Sequence, residues 1–203
     1  MKKILFSKDG NWKEEMVYSC SYRFDPKTSP KFIQEETCVV NAANPDPAMP
    51  HGYDYINLFL KETYGVGTRL SMETSFEDFG APNICLAKKL DVDADGYVRH
   101  GEYYEVVLHE KGLSFWNLYV EEGVQKWYRI VSTIFPVSAN EIHKLEVAVE
   151  LGKNDDKFLR VTVNGDNEIY LRIGKELDEF YAGVSACEQI NRIYSFTVEE
   201  PEA

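Results

Sequence analysis

The residues whose types and spacing best suit a metal ion lie between positions 91 and 102. Asp91, Asp93 and Asp95 alternate, Gly96 follows, and Glu102 ends the segment, which matches the calcium-loop pattern D-x-D-x-D-G-x5-E. Carboxylates at this spacing can converge on a hard cation, which takes about six to eight oxygen ligands. The pattern predicts a calcium site formed by these four carboxylates.

The flanks of this segment favour a second interpretation. Residues 83–90 can form a short helix, but the residues after Glu102 alternate as a strand. A calcium-binding loop of this type needs a helix on both sides. The alternative is an acidic turn at Asp95-Gly96 with solvated carboxylates. The sequence indicates no other cofactor.

A second set of residues suits acid–base chemistry. Arg69, Glu73 and Glu77 share one face of a predicted strand, and Glu105 and His109 share a face of another. If the two faces meet, Arg69, Glu73, Glu105 and His109 form a catalytic cluster. The alternative is a polar outer face of alternating charges, which is common in antiparallel sheets with one solvated side.

Aromatic residues are concentrated in the middle of the chain and suit sugar binding, because their faces stack on the apolar face of a sugar ring. Six of them lie within one short region: Tyr103, Tyr104, Trp116, Tyr119, Trp127 and Tyr128. We take Trp116 and Trp127 as ligand-binding candidates, with Asn117 and Arg129 as hydrogen-bonding partners. His51 and Tyr53 follow a proline-rich stretch and are candidates for the rim. The alternative is core packing, since Trp116 shares its strand face with Leu118 and Val120.

Composition excludes several classes of protein. The 203 residues carry 22 Lys and Arg against 34 Asp and Glu, which gives a net charge of −12, and 44% are hydrophobic. No basic run exists, so we expect neither a nucleic-acid partner nor an anionic membrane partner. The apolar run at positions 4–6 is shorter than a signal peptide requires, which predicts a cytoplasmic location. Cys20, Cys38, Cys85 and Cys187 are scattered, which favours buried free thiols over metal binding, with a Cys20–Cys38 disulfide as the alternative.

Strands dominate the chain, because apolar residues alternate with polar ones in many segments. The clearest lie at residues 69–77, 143–151, 158–163, 168–173 and 192–198. The dipeptide Asn164-Gly165 between two such runs indicates a hairpin. Only residues 138–143 and 175–180 suit short helical turns. The pattern predicts an all-β fold: one antiparallel two-sheet sandwich or barrel spanning residues 1–203.

Four segments carry a resemblance to a known superfamily. They are a predicted long hairpin at 101–116, the strand with Asn-Gly at 158–165, the aromatic-x-Gly-apolar strand at 180–186 and a closing strand at 191–198 that pairs with the N-terminal region. Together they resemble the concanavalin A-like lectin/glucanase superfamily, including laminin-G-like modules, over residues 54–198. The resemblance implies a jelly-roll sandwich that, in many members, binds or cuts sugars on its concave sheet.

The resemblance leaves three functions open. The first is lectin-like binding of a small saccharide or glycoside. The second is a glycoside hydrolase or lyase that uses the cluster of Arg69, Glu73, Glu105 and His109. The third is a non-sugar interaction domain of the laminin-G type. The motif E-x-D-x-x-E or E-x-D-x-E of laminarinase-type members is absent, since Glu176-Leu-Asp178-Glu179 has only its first half. We therefore favour sugar binding, and the sequence does not indicate an oligomeric state.

Overall fold

A computed structural model describes residues 1–22, 25–29, 31–41 and 56–201, and most of these residues lie in strands. The strands, in chain order, are β1 Lys2–Leu5, β2 Met16–Ser21, β3 Ile33–Gln34, β4 Val39–Asn41, β5 Ile56–Gly65, β6 Arg69–Phe76, β7 Ala81–Ala87, β8 Leu90–Val92, β9 Val98–His100, β10 Tyr103–His109, β11 Gly112–Glu121, β12 Val124–Ile134, β13 His143–Leu151, β14 Lys157–Val163, β15 Asp166–Gly174, β16 Glu179–Cys187 and β17 Asn191–Glu199. The predicted all-β class is confirmed.

The strands form two sheets that face each other as a sandwich. The eight-stranded sheet has the order β15-β14-β13-β6-β17-β4-β3, with β1 also paired to β17. The nine-stranded sheet has the order β12-β11-β10-β7-β16-β5-β2-β9-β8. All described strand pairs are antiparallel except β2 with β9, which is parallel. The arrangement is a jelly-roll sandwich, as predicted.

The core lies between the sheets because one face of most strands is apolar. On β6, Leu70 and Met72 are fully buried, and on β13 Leu145 occupies the same layer. These side chains pack against residues of the other sheet, such as Ile84 and Val106, in a single hydrophobic cluster. Alternation at period two therefore sets which side chains face inward. Leu151, at the end of β13, is an exception and is largely exposed.

Short turns join neighbouring strands where the sequence contains residues that tolerate positive φ. Asn164 and Gly165 both have positive φ and connect β14 to β15, which confirms the predicted hairpin. Glu122 and Gly123 also have positive φ and connect β11 to β12. At the other end of the chain, β17 pairs with β1 through Val198 and Lys2, as expected for a closing strand.

The predicted helical turns are wrong in position. Residues 138–143 form an irregular connection, and residues 175–180 form a turn that leads into β16. The short helices lie instead at Trp12–Glu15 and Lys153–Asp155. His143 already pairs in β13, and Glu179 and Phe180 already pair in β16, so pairing of the flanking strands overrides the weak helix propensity of these segments.

One glycine in the nine-stranded sheet allows a close contact. Gly183 on β16 pairs with Phe59 on β5 and with Cys85 on β7. A Cβ atom at Gly183 would lie 2.6 Å from the Phe59 ring and 2.5 Å from the backbone oxygen of Leu58. The aromatic ring therefore lies over the glycine, which explains the glycine in the aromatic-x-Gly-apolar pattern.

The four cysteines are buried thiols that form no disulfide with one another, which confirms the favoured interpretation over a Cys20–Cys38 disulfide. Among the described residues, no helix is long and apolar enough to cross a membrane. Most of the proline-rich stretch at residues 41–52 lies outside the described residues.

Candidate functional site

A cavity of about 590 Å³ opens on the outer face of the nine-stranded sheet. Strands β10, β11 and β12 supply most of its wall, and the ends of β2, β7 and β16 and the residue Phe79 before β7 complete it. The described residues that line it are Ser21, Phe79, Ala81, Tyr103, Glu105, Val107, His109, Glu110, Lys111, Ser114, Trp116, Leu118, Gln125, Trp127, Cys187 and Glu188. Aromatic, aliphatic and carboxylic side chains are therefore combined in one concave surface.

Strand alternation brings Glu105 and Trp116 together on this face. Val106 points into the core, so its neighbour Glu105 points outward to the cavity. In the β10–β11 register Glu105 lies directly opposite Trp116. A bulge between Phe115 and Trp116 shifts the β11–β12 register by one residue. The shift leaves Trp116 opposite Arg129.

Glu105 is the buried carboxyl group of the cavity. Its side chain is only 4% exposed, and its Oε1 has no hydrogen-bond partner among the described residues. Burial raises the pKa of Glu105 to about 7, partly opposed by a hydrogen bond from Tyr103. The carboxyl group thus changes protonation near neutral pH, unlike a solvated glutamate.

The two tryptophans form an aromatic surface beside Glu105. Trp116 is partly buried against Val107 and neighbouring side chains, while Trp127 is 49% exposed at the mouth of the cavity. The guanidinium carbon of Arg129 lies 5.7 Å from the centre of the Trp116 ring, which is a cation–π contact. The interpretation of Trp116 as a core residue is wrong, because its face of β11 is the outer one.

His109 is held in one tautomer by its neighbours. The backbone N–H of Lys111 donates to Nδ1 of His109 at 3.2 Å, so Nδ1 is the unprotonated nitrogen. Nε2 therefore carries the proton and donates to Oγ of Ser114 at 2.9 Å. Ser114 in turn contacts Ser132 at 3.0 Å. Burial lowers the pKa of His109, which keeps the imidazole neutral in this chain of hydrogen bonds.

Gln125 places a second acceptor in the cavity wall. Its Nε2 donates to the backbone oxygen of Gly101 at 3.3 Å, which fixes the orientation of the amide. Its Oε1 is buried and has no partner among the described residues. The wall of one cavity therefore contains two buried acceptor oxygens, on Glu105 and Gln125, that receive no hydrogen bond from the described residues.

The predicted catalytic cluster is not assembled. Glu105 and His109 lie on β10 of the nine-stranded sheet, but Arg69 and Glu73 lie on β6 of the eight-stranded sheet. The Arg69 and Glu73 side chains line a separate cavity of about 450 Å³ on the outer face of that sheet. The outer faces of the two sheets lie on opposite sides of the core. Residues of β6 and β10 that point outward therefore cannot meet, even though both strands alternate in the same way.

Glu105 and His109 share a face but are not in contact. Four residues along a strand separate them by about 13 Å. Val107 lies between them on the same face. They can act on different parts of one ligand, but they cannot exchange a proton directly.

Of the described ligand-binding candidates, Asn117 and Arg129 are not among the residues that line the cavity. Asn117 faces the opposite side of β11, where it pairs with Tyr104 and donates to the Tyr128 hydroxyl at 3.5 Å. The prediction failed because adjacent residues of a strand face opposite ways. His51 and Tyr53 lie outside the described residues.

The acidic segment 91–102 forms the β8–β9 hairpin, and its carboxylates are directed at separate partners. Asp91 pairs with Lys89 at 2.6 Å, and Glu102 pairs with Lys88 at 2.6 Å. Asp95 lies 3.9 Å from Lys27 on the exposed hairpin tip.

Asp93 stabilises the turn itself. It accepts the backbone N–H groups of Asp95 and Tyr97 and pairs with Arg99 at 2.8 Å. Among the described residues, no group of three or more potential ligands is placed to hold a metal ion. The calcium prediction is therefore not supported by the geometry, and residues 81–87 are strand rather than helix.

Sequence reasoning missed His100, which ends this hairpin. Its ring is fully buried between Phe59 and Tyr103, with centroid distances of 5.1 and 4.6 Å. Its Nδ1 lies 2.7 Å from Oγ of Ser19, and burial lowers its pKa to about 3. His100 thereby anchors the hairpin on the nine-stranded sheet as a neutral residue, and the pattern of acidic residues gave no signal of this.

The comparison with known proteins identifies the fold. No protein-family model matches the sequence, and no curated protein matches it. Among solved structures, the carbohydrate recognition domain of Emp46p in its metal-free form is 14% identical, with a TM-score of 0.63, over 98% of this chain and 95% of that one. The carbohydrate-binding module CBM66 from Bacillus subtilis is 10% identical, with a TM-score of 0.59, over 92% and 96%.

A third similar structure is an enzyme. Beta-agarase A in complex with oligoagarose is 10% identical, with a TM-score of 0.61, over 92% of this chain and 84% of that one. The fold is that of the concanavalin A-like lectins and glucanases. One of the similar structures is the potassium-bound form of the Emp46p domain, so metal binding occurs within this fold.

Proposed function

We propose that this protein is a lectin-like domain that binds a small saccharide or glycoside in the cavity of the nine-stranded sheet. The observation that carries the proposal is the pairing of an aromatic surface with buried hydrogen-bonding groups. Trp116 and Trp127 offer flat faces, while Glu105 and Gln125 offer acceptors. Ligand sites of this kind combine apolar walls with a few placed polar groups.

The fold supports the same class of ligand. The similar structures include carbohydrate recognition domains, a carbohydrate-binding module and an agarase. The cytoplasmic location stays a prediction, and so does the calcium site at residues 91–102, which the geometry of the four carboxylates does not support.

Two adjacent residues provide a matched test. Trp127 and Tyr128 are each 49% exposed, but only Trp127 lines the cavity, because Tyr128 faces the other side of β12. We expect Trp127→Ala to weaken binding in a glycan array and in calorimetry at least about tenfold, and Tyr128→Ala to leave it unchanged. Equal effects of the two substitutions, or no binding of any saccharide by the unmodified protein, would contradict the proposal.

A second candidate function is glycoside cleavage, favoured by the raised pKa of Glu105, which suits a general acid. Hydrolysis needs two carboxyl groups about 5–10 Å apart. The other described carboxyl groups of the cavity belong to Glu110 and Glu188, which follow the last residues of β10 and β16, whereas Glu105 lies within β10. The spacing favours binding over hydrolysis. Release of product from oligosaccharides, abolished by Glu105→Gln, would reverse this preference.

A further inference from the structure

We infer that the cavity is specific for uncharged saccharides, and that Glu105 sets this specificity by accepting a hydrogen bond from a ligand hydroxyl group. The inference rests on the proposed saccharide function. It adds the charge class of the ligand and the residue that selects it.

The first argument concerns the open hydrogen-bonding groups of the wall. Oε1 of Glu105 and Oε1 of Gln125 are buried and have no partner among the described residues. Both atoms are acceptors, since Nε2 of Gln125 already donates to Gly101. A buried acceptor without a donor costs free energy, so a ligand that supplies donors is favoured. Hydroxyl groups of a sugar supply such donors.

The Glu105 carboxyl group can reach a ligand without a change in the strand. Its terminal torsion has a broad, twofold energy profile, so either oxygen can turn towards the cavity. Trp116 lies directly opposite on β11, so a sugar ring against this tryptophan lies beside the carboxyl group.

The second argument concerns charge. Of the described residues that line the cavity, three carry a carboxyl group and one, Lys111, carries an ammonium group. The ammonium nitrogen of Lys111 lies 3.6 Å from a carboxylate oxygen of Glu110, and the guanidinium of Arg129 lies over the ring of Trp116. An anionic sugar would therefore meet the buried carboxylate of Glu105, and the one ammonium group among the described lining residues already pairs with Glu110. Burial strengthens this repulsion, because water screens the charges less.

The ligand is therefore expected to be rich in hydroxyl groups and free of carboxylate, sulfate or phosphate. Selection of this kind works by rejection of the charged competitor as much as by attraction of the neutral one.

Matched pairs of probes test the inference. Galacto-oligosaccharides are compared with oligogalacturonates of the same anomeric linkage, and manno-oligosaccharides with oligomannuronates of the same linkage, so that the members of each pair differ only by a carboxylate in place of a hydroxymethyl group. Calorimetry at about pH 8 measures the affinity ratio within the pair that binds, at a pH above the value of about 7 to which burial raises the pKa of Glu105. The variants are Glu105→Gln, which removes the charge, and Glu105→Asp, which keeps it. Glu73→Gln, on the other sheet, is the control.

We expect the neutral member to bind at least about tenfold more tightly in the unmodified protein, in Glu105→Asp and in the Glu73→Gln control. The ratio of the affinity for the neutral member to the affinity for the uronate member should move closer to one in Glu105→Gln. In the unmodified protein it should also move closer to one at about pH 6, where Glu105 is largely protonated and the uronate is still charged. The pH comparison needs no variant, so it decides the matter even if a substitution prevents folding.

Two results would overturn the inference and leave the proposed function standing. One is equal or tighter binding of the uronate member by the unmodified protein. The other is a ratio that neither Glu105→Gln nor the lower pH changes. Binding of no neutral saccharide at all would instead overturn the proposed function, and the inference with it.

Discussion

Replacement of Glu105 by glutamine should make the protein more stable at neutral and alkaline pH. Glutamine has nearly the shape of glutamate and keeps an oxygen acceptor, but it cannot ionise. The glutamate side chain is 4% exposed, so the folded protein must ionise it away from water. The unfolded chain ionises the same group in water. The difference between the two states sets the size and the sign of the effect.

The magnitude follows from the pKa of Glu105, which burial raises from its usual value of 4.5 to about 7. One pKa unit corresponds to about 1.4 kcal/mol, so ionisation in the folded state costs about 3 kcal/mol. Between these two pKa values the folded state binds more protons than the unfolded state, so the free energy of unfolding falls as pH rises. Below the lower value both states are protonated, and the cost disappears.

Urea unfolding followed by tryptophan fluorescence measures this effect across pH. The stability advantage of Glu105→Gln over the unmodified protein should grow by about 3 kcal/mol between about pH 4 and about pH 8. Glu73→Gln is the matched control, because Glu73 accepts a hydrogen bond from Ser195 on the exposed face of the other sheet. It makes the same chemical exchange outside the cavity of the nine-stranded sheet, so the comparison isolates the effect of the cavity. A constant advantage of Glu105→Gln at every pH would refute the reasoning.

Three further predictions concern other parts of the sheet. Gly183→Ala should lower the free energy of unfolding by about 1–3 kcal/mol in urea, because its Cβ would lie 2.6 Å from the Phe59 ring. His109 should show the Nε2–H tautomer in nitrogen-15 NMR. Because burial lowers its pKa, the free energy of unfolding should fall as the pH drops below about 6.5. An imidazole ring that is protonated at neutral pH would contradict both expectations. Asp93→Asn should lower the melting temperature through loss of the Arg99 ion pair. Added calcium should leave the melting temperature of the unmodified protein unchanged, and a rise with calcium would restore the interpretation of residues 91–102 as a metal site.

The strands could be predicted because their signal is local. Residues 143–151 alternate along the sequence, and β13 occupies those positions in the structure. The Asn164-Gly165 hairpin has the same origin, since the turn requires residues that tolerate positive φ. The helical turns at 138–143 and 175–180 failed because propensity is weak in segments whose ends are fixed by strand pairing.

The site was predicted only in part. Glu105, His109, Trp116 and Trp127, which the sequence singled out in two separate sets, line one cavity, because alternation places side chains on a common face. Alternation cannot tell the outer face from the inner face of an amphipathic strand when both carry aromatic residues, nor can it tell one sheet from the other. Arg69 and Glu73 were therefore assigned to the wrong partners.

The sequence by itself determined the strands, many of their turns and the free thiols, because these depend on neighbours along the chain. Tertiary structure alone decided that Glu105 is buried opposite Trp116, since the register of β10 with β11 sets that pairing. It also decided that Asp93 binds Arg99 rather than converging with its neighbours on a cation. The pKa of a carboxyl group depends on what surrounds it in space, so no pattern of residues could supply it.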